Sequence, residues 1–93
     1  MIKSFHDKKT EDLFNGGRGD EKWQSFVKVA RRKLVYLHQA RSLHDLKAPP
    51  NNKLEALKRD RLGQHAIRIN DQYRVCFIWK DGHATRVEIT DYP

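Results

Sequence analysis

Cysteine is nearly absent from this chain of 93 residues, with Cys76 the only one. An internal disulfide is therefore excluded, and a reducing cytoplasm fits. His38 and His44 stand too far apart for a one-turn helical ligand pair, and no neighbouring thiol completes a zinc set, so neither metal nor cofactor is expected. No apolar run approaches the ~18–20 residues of a membrane span. The opening Met1–Phe5 is too short and polar for a signal peptide, so the expectation is a soluble intracellular protein. A glycine-rich phosphate loop and a Ser-His-Asp pattern are both missing. Apolar residues make up only 38%, but they recur periodically, which indicates a folded chain of one domain, 1–93, rather than disorder.

What the sequence has in excess is positive charge. The formal balance is +7, from 19 Lys and Arg against 12 Asp and Glu. Residues 21–48 contribute +5 and residues 49–75 contribute +3, while the two ends are near neutral. The field thus belongs to a face rather than a tail. Such a face points first to nucleic acid, then to an acidic protein partner, then to a membrane surface.

Apolar spacing assigns the elements. Residues 2–5 alternate like a short strand with one buried face. Asp7 caps a helix that runs to Phe14 and ends at Asn15-Gly16-Gly17. From Glu21 to Ala40, Trp23, Phe26, Val27, Ala30, Leu34 and Leu37 share one helical face; Lys28, Arg31, Arg32 and the stem of Lys33 are expected outside. That basic side could touch phosphates, although a solvated helix face is the plainer reading. A shorter helical piece follows around Ser42–Leu46, and Pro49-Pro50 ends it. Leu54 and Leu57 anchor a loop carrying Lys58, Arg59 and Arg61, and Gly63 allows a tight bend. Three strands complete the chain: His65–Ile69, Tyr73–Lys80 and Thr85–Tyr92, joined by Asn70-Asp71-Gln72 and by Asp81-Gly82. The predicted class is α+β, an N-terminal strand and two to three helices packed on a largely antiparallel sheet.

The stretch Leu54–Arg74 gathers Lys58, Arg59, Arg61, His65, Arg68 and Arg74 around one loop and one strand pair, a composition suited to an anion. RNA cleavage without metal needs a proton acceptor at the 2′-hydroxyl, a donor at the leaving 5′-oxygen, and cations for the phosphorane. Lys and Arg suit the last role and His the first two. His65 is a candidate proton carrier; its ordinary reading is a half-buried strand histidine. Arg74 either stands over the open face of the sheet or pairs with Asp91 or Glu88. Lys58 is either a phosphate ligand or a solvated loop lysine. Cys76 inside a strand reads as packing rather than nucleophile.

These residues also carry a resemblance. Met1–Phe5, the run LEALKRDRLGQHAIRINDQYRVCF over 54–77, and Val87–Tyr92 resemble HigB-type toxins of the RelE superfamily over nearly the whole length. The resemblance implies a ribosome-dependent mRNA endonuclease, neutralised by a helix-turn-helix antitoxin of HigA type and meeting operator DNA only through that complex. It implies that Lys58 is the loop lysine and Arg74 the strand arginine of the site. Asp91 and Tyr92 match the first two residues of a terminal Asp-Tyr-His, with Arg59, Arg61, Arg68, Lys28, Arg31 and Arg32 as RNA-binding cations. Pro93 stands where relatives carry the histidine. Three alternatives stay open: His65 or Tyr92 carries more of the proton transfer, the toxin is attenuated, or the residue has been replaced. The competing function is a basic ribosome- or RNA-binding module with little catalysis.

Overall fold

The computed structural model describes residues 1–91; the expectations placed on Tyr92 and Pro93 lie outside them. Helix α1 spans Lys8–Phe14 and helix α2 Val27–Gln39. The strands are β1 (Glu55–Ala56), β2 (His65–Arg68), β3 (Tyr73–Lys80) and β4 (His83–Asp91). They form one sheet in the order β1-β2-β3-β4, antiparallel throughout. The expected α+β class is the one observed.

Local chemistry explains most boundaries. The Asp7 carboxylate accepts from the Thr10 backbone N–H at 2.7 Å and starts α1. Asp20 accepts from Lys22 N–H, and the Gln24 amide donates to the Asp20 and Arg18 carbonyls. Those bonds wind residues 21–26 into a 3-10 helix, and Phe26, at φ −129°, separates it from α2. The continuous helix expected over 21–40 is therefore two pieces. Residues 43–47 form a 3-10 turn whose Ser42 and Asp45 make a reciprocal capping box.

The main core lies between the helices and one face of the sheet. Leu13, Trp23, Ala30, Leu34 and Leu37 meet Ile67, Val75, Phe77, Val87 and Ile89, all buried. Thr10, fully buried, accepts from the Ile89 N–H at 3.1 Å and ties α1 to β4.

Four expectations change. Residues 2–5 do not form a continuous strand; they touch β4 through two isolated parallel bridges, Ile2 with Ala84 and Phe5 with Val87. The Leu54–Leu57 loop contains β1, which is too short to show periodicity in sequence. The last strand begins at His83, and a bulge opposite residues 76–78 puts Arg86 at φ +52°. Lys33 is not outside: only 2% of it is exposed.

The burial of Lys33 is explained by Asn52. The ammonium donates to Asn52 Oδ1 at 2.5 Å, while the same amide donates to the carbonyls of Leu46 and Ala48, each at 3.2 Å. One buried amide thus satisfies a lysine and two loop carbonyls. Loss of solvent, then the charges of Arg32 and Arg68, hold the Lys33 ammonium below the ordinary 10.5 of lysine. Because the unfolded chain binds that proton more tightly, the site lowers stability while lysine is charged in both states, and the loss is recovered as pH rises through the folded value.

On the second sheet face the described residues form one buried cluster. Leu57 packs on Ala66 and Cys76, all buried. Burial pushes the Cys76 thiol up to about 11, outweighing the opposing pull of Arg61.

Two outcomes follow from this packing. Asn52→Leu leaves the Lys33 ammonium and two carbonyls without an acceptor or donor, and should cost about 2–4 kcal/mol in urea unfolding, more than Lys33→Met, which removes the buried charge. Cys76 should resist a disulfide reagent at pH 8 in the native protein and react at once when the protein is unfolded.

Candidate functional site

Pairing in the sheet decides which side chains meet. On β3, Val75 and Phe77 turn to the helices, so Arg74 and Cys76 turn to the other face. Directly opposite residues share a face, which puts Arg68, Arg74 and Thr90 in one row and Ala66, Cys76 and Glu88 in the next.

Over this face lies a cleft of about 500 Å³, lined by Lys58, Arg59, Asp60, Arg61 and Asp91. Its wall is the 3-10 turn Arg59–Arg61, entered through Lys58 in extended conformation, with Arg59 at φ +56°. Leu57 anchors the wall from behind: its N–H donates to the Gln64 carbonyl at 2.9 Å, and its side chain is buried. The three cations are thereby held close together, although mutual repulsion alone would spread them.

The individual cations differ in how firmly they are held. Lys58 and Arg59 are exposed. Arg61 is fixed: its Nη1 donates to Glu88 Oε1 at 2.8 Å and to Gln64 Oε1 at 3.0 Å. Gln64 is a neighbour in the chain, but the Glu88 partner is not apparent from sequence, because it lies 27 positions away and only the β3–β4 register brings it across. Asp91, at the other lip, accepts from the Gln72 amide at 3.0 Å.

Arg74 stands on the same face but does not line the cleft. Its guanidinium donates to the carbonyls of Asn70 and, at 3.1 Å, Tyr73, bracing the β2–β3 turn. The alternative pairing with Asp91 or Glu88 is not observed; Arg61 takes Glu88 instead. Arg68, opposite Arg74, pairs with Asp71. The strand register and the Arg61–Glu88 contact place Arg61, Arg74, Glu88 and Glu55 around Cys76 on one patch of sheet.

Four expected site residues fall elsewhere. His65 is paired with Phe77 and stacks on its ring (centroids 6.2 Å, 24° between planes), so it belongs to the helix-facing side, opposite to Arg74. The alternation that puts Ile67 inward puts His65 inward as well. Arg31 donates from Nε to the Leu13 carbonyl at 3.0 Å and from Nη2 to the Gly17 carbonyl at 2.8 Å, where it closes the end of α1 rather than facing a ligand. Lys28 and Arg32 are exposed on α2, in the helix layer that covers the opposite face of the sheet from the cleft. The structure therefore brings together Lys58, Arg59, Arg61 and Asp91, with Arg74 and Arg68 beside them.

Known proteins resemble this chain in both sequence and fold. Residues 3–92 match the family described as RelE-like toxin of type II toxin-antitoxin system HigB. Toxin HigB-1 of Vibrio cholerae is 36% identical over 85 residues, covering 90% of each chain. Among solved structures, a chain of the YoeB-YefM complex from Staphylococcus aureus superposes with a TM-score of 0.58 at 16% identity, covering 100% of this chain and 99% of that one. The YoeB/ParE toxin from Agrobacterium tumefaciens gives 0.55 at 18% identity, covering 99% and 100%. At those identities the structures speak for the fold, while the sequence matches speak for the family. This chain belongs to the RelE-like HigB toxins of type II toxin–antitoxin systems.

Proposed function

We propose that this toxin is an mRNA endonuclease that works on the ribosome. The observation that carries the reading is the cleft itself: Lys58, Arg59 and Arg61 converge on one open face, with a carboxylate, Asp91, at the lip. Such a site suits a phosphodiester, whose charge grows as the 2′-oxygen attacks phosphorus. The products would be a 2′,3′-cyclic phosphate and a free 5′-hydroxyl, so every proton moves within the substrate or through a side chain.

In this reading Lys58 supplies a mobile ammonium to the phosphorane and Arg61 a fixed guanidinium. Arg74 reaches the phosphate by leaving its turn carbonyls when RNA arrives. His65, on the far face, is left out of proton transfer. That role passes to Tyr92, which follows Asp91 in the chain, with Asp91 orienting it. Arg59 and Arg68 extend the contact along the backbone. Lys28 and Arg32 form a separate basic surface suited to ribosomal RNA. The partner that silences the toxin would be a helix-turn-helix antitoxin of HigA type, through which operator DNA is met, and the setting would be the cytoplasm.

The second reading, a ribosome-binding module with little catalysis, draws on Pro93, which offers no side-chain proton where relatives have a histidine. Induction without the antitoxin separates the two. The nuclease reading predicts growth arrest and new 5′-hydroxyl ends in cellular mRNA. Retained ribosome association with no new ends would overturn it in favour of the module.

The Lys58 side chain has no hydrogen-bond or ion-pair partner among the described residues, and its backbone carbonyl, which accepts from the Arg61 N–H at 3.1 Å, survives truncation, so its replacement tests the chemistry without disturbing the fold. Lys58→Ala should keep the melting temperature and lower ribosome-dependent cleavage by about 10²–10³. Arg74→Ala should abolish growth arrest with the fold intact, and a folded Arg74→Ala protein that still arrests growth would contradict the role given to Arg74.

A further inference from the structure

We propose that Glu88 is a positioning residue of the cleft, holding the Arg61 guanidinium in place for an RNA phosphate; this rests on the nuclease reading above. A carboxylate beside a phosphate site is costly by itself, since it repels the ligand. Glu88 escapes that objection because its charge is already engaged. Oε1 receives Arg61 Nη1 at 2.8 Å, and Oε2 lies 3.7 Å from His6 Nε2.

The arrangement draws on separate parts of the chain. Arg61 comes from the cleft wall, Gln64 from the residue before β2, and Glu88 from the middle of β4. Arg61 Nη1 is shared between the Gln64 and Glu88 oxygens, which fixes the plane of the guanidinium and not merely its position. The residues beneath are small: Ala66 and Cys76 lie in the same row as Glu88, leaving room for the arginine chain to cross.

Burial separates Arg61 from its neighbours. Its side chain is 25% exposed and that of Glu88 17%, while Lys58 and Arg59 are open to solvent. A donor already oriented needs no reorganisation when charge develops on the phosphorane, whereas a mobile one does. Glu88 thus acts through Arg61 and does not touch substrate. A merely structural Glu88 would stabilise the sheet and leave the guanidinium indifferent.

The test compares Glu88→Gln, Glu88→Ala, Arg61→Ala and the double Glu88→Ala/Arg61→Ala in cleavage of ribosome-bound mRNA. A second readout is nuclear magnetic relaxation of the Arg61 Nε–H in the isolated toxin, with and without inorganic phosphate. Glu88→Ala should lower kcat about ten- to hundredfold with KM nearly unchanged. Glu88→Gln, which keeps an acceptor oxygen, should recover most of that loss. The double variant should be no slower than Arg61→Ala. Arg61 should be rigid in the wild type and in Glu88→Gln, and mobile in Glu88→Ala, with its response to phosphate weakened. Additive losses, or an Arg61 equally rigid in Glu88→Ala, would overturn the proposal. If the wild type cleaves nothing, the nuclease reading falls and relaxation with phosphate still decides the role of Glu88: an unchanged Arg61 refutes it, a loosened one supports it.

Discussion

Everything in this site depends on the register of the central strand, β3. Val75 and Phe77 must face α2 to close the core, and strict alternation then sends Arg74 and Cys76 to the other face. A slip of one residue would exchange the two sets, burying an arginine and exposing a phenylalanine. Hydrophobic packing on one side therefore holds charge in place on the other. The same register carries Glu88 opposite Cys76, within reach of Arg61.

The cleft wall uses a related economy. A 3-10 turn of three residues, two of them arginines, has little cohesion of its own. It is tied down by Leu57 beneath, by the short pairing of β1 with β2, and by the Arg61–Glu88 contact across the sheet. Cations that would otherwise drift apart are kept together, which is the physical requirement for holding a phosphate whose charge is increasing.

Much of this was legible in the sequence because it follows from periodicity. The period of α2, the alternation of β3 and the turn at Asp81-Gly82 come straight from residue spacing. What was not legible depends on pairing over distance. Lys33 reads as a solvated lysine until Asn52 is brought against it, and β1 is too short to leave a pattern. Arg61–Glu88 and Arg31–Leu13 are likewise contacts of the folded chain, invisible in local composition. His65 differs in kind: the alternation of β2 already pointed it inward, and its nearness in sequence to the basic loop argued the wrong way.

The central claim is that the substrate strand meets this toxin on the open sheet face rather than along α2. Titration of isotopically labelled protein with a short 2′-O-methyl RNA, which cannot be cleaved, reads that directly by chemical-shift change. The account predicts the largest changes at Lys58–Arg61, Arg74 and Glu88–Asp91, with Lys28 and Arg32 nearly still. Changes concentrated on Lys28 and Arg32, with the cleft unaffected, would contradict it.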